Sequence, residues 1–90
     1  MSEDDIIEFV KKYDPKALYV DAIAYYPIAK KYFIKYNLGG SSKYVLANFD
    51  GKKFVDGSEE KKTFSAKEVK SMYKMTGTKE KVWVVYGYEE

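Results

Sequence analysis

ALYVDAIAYYPIAKKYFIKYNLGG, residues 17–40, decides the architecture. From Ala17 to Tyr26 Asp21 alone is charged, so the segment is either a helix buried almost all round or a buried strand, and periodicity does not separate the two. Helix is the expectation. Pro27 opens the next turn. On a wheel of 100° per residue, Ile28, Ala29, Tyr32, Phe33 and Tyr36 then form one arc and Lys30, Lys31, Lys35 and Asn37 the other. This predicts a helix over 28–38, although Ile34 and Leu38 fall among the lysines. Gly39 suits a left-handed helix cap, and Gly40-Ser41-Ser42 reads as a loop.

Working outward, Ser2 precedes Glu3, Asp4 and Asp5. A hydroxyl that accepts from free N–H groups, followed by carboxylates at the positive end of the dipole, marks a helix start. Ile6, Ile7, Phe9, Val10 and Tyr13 share one side at helical spacing, which predicts a first helix over 3–13. Asp14-Pro15 ends it and can cap a second. On the other side, KYVLANF (43–49) and KKFV (52–55) flank Asp50-Gly51, the pair favoured by a two-residue type I′ hairpin. Ser65-Ala66-Lys67-Glu68 has the spacing of a capping box before Val69, Met72, Tyr73 and Met75, predicting a helix over 66–76. KVWVVYGY (81–88) is apolar on both alternating faces, as a covered strand is. The expected fold is α+β, a single small globular domain over 1–90. N-terminal helices, a β-hairpin, a further helix and a C-terminal strand form a small three-stranded sheet packed against helices.

Composition narrows the chemistry. The 90-residue chain is 46% hydrophobic, 33% charged and 18% aromatic, the balance of a globular domain with one core. Cys, His, Arg and Gln are absent. That removes disulfides, thiol nucleophiles, thiolate or imidazole zinc sites and the usual general base near neutral pH. Carboxylate, Lys, Tyr and Ser chemistry remain. Asp50, Asp56, Glu59 and Glu60 do not follow the spacing of a calcium loop, and aspartates ahead of glycine have a turn role that accounts for them. Gly39-Gly40-Ser41-Ser42-Lys43 lacks the full phosphate-loop pattern. The expectation is a protein that is not an enzyme and carries no cofactor and no metal. Depletion of thermolabile residues beside abundant Lys and Glu points to a hot source, viral or archaeal; an AT-rich genome favours the same residues. An acidic start and the lack of a long apolar run predict a cytoplasmic protein with no membrane partner.

Two binding surfaces emerge from what remains. The net charge is +2, yet residues 1–10 carry four acids and no base, whereas 11–53 carry nine lysines against three aspartates. The ten tyrosines exceed what so small a core readily hides, and tyrosine gives large contact area at low entropy cost. Tyr19, Tyr25, Trp83, Tyr86 and Tyr88 are the candidates for a protein contact or a homodimer edge, while Tyr13, Tyr32, Tyr36 and Tyr73 suit the core. The leading expectation is a small inhibitor or adaptor whose partner is another protein or its own second copy. The alternative is nucleic acid, held without sequence preference by Lys30, Lys31, Lys35, Lys43, Lys52 and Lys53 with tyrosines stacking on bases. Lys lacks the planar fork with which Arg reads guanine, so that binding would be salt-sensitive.

Overall fold

The computed structural model describes residues 2–26, 30–58, 60–76 and 82–84, with their side chains except at positions 26, 73–76 and 82–84. Helix α1 (Glu3–Lys11) leads into strands β1 (Tyr19–Tyr26), β2 (Lys31–Asn37), β3 (Ser42–Phe49), β4 (Phe54–Asp56) and β5 (Thr63–Phe64). Helix α2 (Ala66–Thr76) and strand β6 (Val82–Val84) follow. The strands form one sheet in the order β4-β3-β2-β1-β6, and every pairing is antiparallel. Strand β5 pairs with Tyr44 and Val45, while β4 pairs with 47–49. Because β2 occupies the other side of β3, β4 and β5 share one border.

The helices expected over 17–26 and 28–38 are therefore β1 and β2, and the sheet has six strands where three were expected. Strand periodicity accounts for both positions that the helical wheel misplaced. Tyr32, Ile34, Tyr36 and Leu38 all pack against the cluster that contains Ile6, Phe9 and Val10 of α1. Phe33, between them, belongs to the opposite cluster with Ala24, Tyr44, Leu46, Phe64 and Val69. Phe33 and Ile34 are both 0% exposed. A sheet covered on both faces buries neighbours in the chain, and the simple alternation of a half-wet strand disappears. In β1 the register shifts between Val20 and Ala22, with Asp21 as the extra residue. This bulge returns Ile23 to the face of Val20, three positions on, which imitates a helical repeat.

The helices close the two faces. Helix α1 starts as expected: the Asp5 N–H donates to Ser2 Oγ and the Ser2 N–H to Asp5 Oδ2, each at 3.2 Å. Its buried Ile6, Phe9 and Val10 cover one face. At its end the Tyr13 and Asp14 N–H groups donate to the Val10 carbonyl, and the fully buried Tyr36 donates its hydroxyl to Asp14 Oδ2 at 2.8 Å, tying the helix exit to β2. Helix α2 also occupies its expected span. Ser65 Oγ accepts from the Glu68 N–H at 3.2 Å, and the Ser65 N–H donates to Glu68 Oε1 at 2.9 Å. Val69 is 1% exposed and covers the second face. Burying a side chain such as Phe33 or Ile34 contributes about 1.5–3 kcal/mol, so a residue pair shared between two clusters is central to the fold.

Two turns depart from expectation. Phe49 pairs with Phe54, so the hairpin loop is the four residues 50–53 and not a two-residue turn. Asp50 explains the difference: its Oδ1 accepts from the N–H groups of Lys52 at 2.8 Å and Lys53 at 2.9 Å, and its own N–H donates to the Lys53 carbonyl. Gly51 supplies the required φ of 100°. Gly39 is left-handed as expected, with φ 101°, but in the β2–β3 turn. There Asn37 Oδ1 accepts its N–H at 2.7 Å, and Leu38 N–H donates to the Ser41 carbonyl. The strand expected over 81–88 is described only as β6, and the rest lies outside the described residues.

Candidate functional site

Antiparallel succession sends the β1–β2 connection and the β3–β4 loop out at the same end of the sheet, and the β2–β3 turn out at the other. The first end gathers aromatic rings. Tyr25 and Tyr32, paired across β1 and β2, have ring centroids 4.9 Å apart. Tyr32 in turn lies 5.4 Å from Phe54 and 6.3 Å from Phe49, and Phe49 and Phe54 are 5.4 Å apart. Phe54 meets Phe9 of α1 at 6.4 Å, and Phe9 meets Tyr13 at 5.3 Å. The cluster runs from core to solvent: Phe9 and Phe54 are buried, Tyr25 and Tyr32 half-buried, and Phe49 is 44% exposed. Mostly edge-on and tilted contacts hold such rings in place, so Phe49 stands at the rim of a rigid base.

Charges surround this end. Lys30, in the β1–β2 connection with φ 54°, immediately precedes β2, and Lys52 and Lys53 belong to the loop after Phe49. All three are exposed. Lys31 is anchored, its Nζ donating to the Gly57 carbonyl. Asp50 has its carboxyl held below the usual carboxylate range by the N–H groups of Lys53 and Lys52. A groove of about 330 Å³ separates this loop from α1, with Asp5 and Glu8 on one wall, Lys12, Lys52 and Lys53 around them, and Phe9 and Phe54 beneath.

The expected site residues thus divide. Tyr25 belongs to the aromatic end, with Lys30, Lys31, Lys52 and Lys53 around it. Tyr19 is 50% exposed beside Leu18 at 57%, at the opposite end of β1. Lys35 pairs with Ala22 and Tyr44 in the middle of the sheet, and Lys43 pairs with Tyr36 toward the far end, so the six lysines form no single track. The backbone of Trp83 pairs with Ala24; its side chain, Tyr86 and Tyr88 lie outside the described residues. Tyr32, expected in a helix core, and Phe49, not singled out at all, are the residues the sequence reading missed. The available signal was the alternation Val45, Ala47, Phe49 ahead of the Asp-Gly turn, which puts Phe49 on the covered face but past its end.

Little in the described residues resembles a reaction centre. The Tyr36–Asp14 pair is the nearest to a proton-transfer dyad, yet burial, then the hydrogen bond to Asp14, push the phenol well above its ordinary value, opposite to what a nucleophile needs. Asp56 is spent on an ion pair with Lys62 and on the Ser58 N–H. No group of three or more acidic side chains that could hold a metal ion occurs among the described residues, and no helix among them is long and apolar enough to cross a membrane. A second groove, about 360 Å³, lies along α2 between Phe64 and Met72, with Lys67, Glu68 and Ser71. No family model, no curated protein and no solved structure matches the chain.

Proposed function

We propose that the protein is a small non-enzymatic binding module, an inhibitor or adaptor, that docks a protein partner on the sheet end formed by Tyr25, Tyr32 and Phe49. The observation that carries this reading is the continuous ring cluster from buried Phe9 to exposed Phe49. An exposed aromatic side chain on a rigid base adds contact area with little loss of conformational freedom, the property that distinguishes residues dominating protein interfaces. The mixed charges at the periphery fit the polar rim of such an interface.

The test is retention of a protein from an extract of the source by the immobilised wild-type chain, compared with Phe49→Ser and Tyr19→Ser. Loss of the same protein in Phe49→Ser alone is the expected result. Retention unchanged by Phe49→Ser refutes the assignment, and size measurements on the purified chain show whether the partner is a second copy.

The alternative reading, nucleic acid without sequence preference, draws on Lys30, Lys52 and Lys53 in the two connections at the same sheet end as Tyr32 and Phe49. The scatter of Lys35 and Lys43 and the presence of Asp5, Glu8 and Asp50 near the same loop count against a continuous phosphate track. It requires an affinity for oligothymidylate that falls steeply with salt; the protein-docking reading requires no such affinity.

A further inference from the structure

Resting on the docking reading above, we infer that the segment received at this end is acidic, with a large apolar residue flanked by carboxylates. Most charges near this end already have partners. Lys31 donates to the Gly57 carbonyl, Lys62 pairs with Asp56, and Asp50 Oδ1 accepts two backbone N–H groups. Lys30, Lys52 and Lys53 are exposed, and none of them forms an ion pair among the described residues. Phe49 shares the sheet end with them: Lys30 immediately precedes β2 in the connection that leaves there, and the loop carrying Lys52 and Lys53 begins one residue after Phe49.

A chain crossing this end therefore meets an exposed ring with three exposed lysines in the two connections beside it, against one exposed carboxylate in the same loop, Asp50. A basic segment would bring like charges together, whereas carboxylates on either side of an apolar residue satisfy all three lysines and cover Phe49. The groove beyond the loop is of mixed charge, with Asp5 and Glu8 against Lys12, Lys52 and Lys53, so the preference for an acidic segment rests on Lys30, Lys52 and Lys53 alone.

Fluorescence anisotropy tests this with two labelled peptides, one with tryptophan flanked by glutamates and the other with the same tryptophan flanked by lysines, together with oligothymidylate. The glutamate peptide is expected to bind tightest and to weaken with added salt. Lys52→Glu with Lys53→Glu should weaken it by about tenfold, as rim charges of this kind do. Circular dichroism establishes that each variant is folded. Equal affinity for the two peptides, with loss in Phe49→Ser, overturns the acidic preference and leaves the docking surface in place. Identical binding by wild type and Phe49→Ser overturns the docking surface itself, and preference for the oligonucleotide assigns the end to nucleic acid.

Discussion

A methyl group added at Gly57 would lie 2.8 Å from the backbone N, Cα and C of Ala47, inside the van der Waals contact of carbon atoms. The Gly57 N–H donates to the Leu46 carbonyl at 3.1 Å, which holds the chain against β3 after β4 ends. Gly57→Ala has no flexible neighbour to displace, so it should lower stability by about 1–3 kcal/mol, the usual cost of overfilling a packed site. An unchanged midpoint in chemical denaturation would show that the approach is looser than described. Tyr36→Phe removes only the hydroxyl that donates to Asp14. With Asp14 half-exposed and able to recruit water, a loss of about 1 kcal/mol is expected, measurable by the same denaturation. A neutral substitution would mean that the helix exit is held by packing alone.

The N-terminus of α2 is where pH acts at the scale of an element. The Glu68 carboxyl falls from its ordinary value of 4.5 to about 2, first through the side chain of Lys61 and then through the N–H of Ser65. Folding therefore favours the ionised form, and the benefit is full above the unfolded value of 4.5 and is lost as pH falls through about 2. Protection of the Ser65 and Glu68 amides, measured against their intrinsic exchange rates at each pH, should fall across that window, and Glu68→Gln should flatten the response. The capping box that contributes to this behaviour was readable directly, because it depends on residues three apart; so were α1 and the existence of the β3–β4 hairpin. The identity of 17–38 was not. Tyr32 and Tyr36, like Lys31 and Lys35, are spaced by four, a distance that shares one face in a helix and in a strand alike. Only Ile34 and Leu38 discriminated, and the bulge at Asp21 masked the strand period in β1. The docking surface was half readable for the same reason: Tyr25 and the lysines stood out by type, but Phe49 gains its place from a sheet end that no local pattern specifies.

Across the whole molecule, β2 joins the two layers, since Ile34 faces α1 and its neighbour Phe33 faces the α2 layer. Loss of either side should therefore loosen both. Ile34→Ala is expected to cost about 2–5 kcal/mol and Phe33→Ala about 3–5 kcal/mol. Each variant should still unfold in one transition, with the amides of α1 and α2 losing protection together. Exchange of α2 at lower denaturant than α1 would show instead that the layers fail independently. The border formed by β4 and β5 has a different significance. Strands of three and two residues, set in succession along β3 and separated by the segment that starts at Gly57, present no long straight row of open amides among the described residues. Unprotected sheet margins are where chains recruit one another into fibrils; a margin broken this way offers little template for such recruitment on that flank.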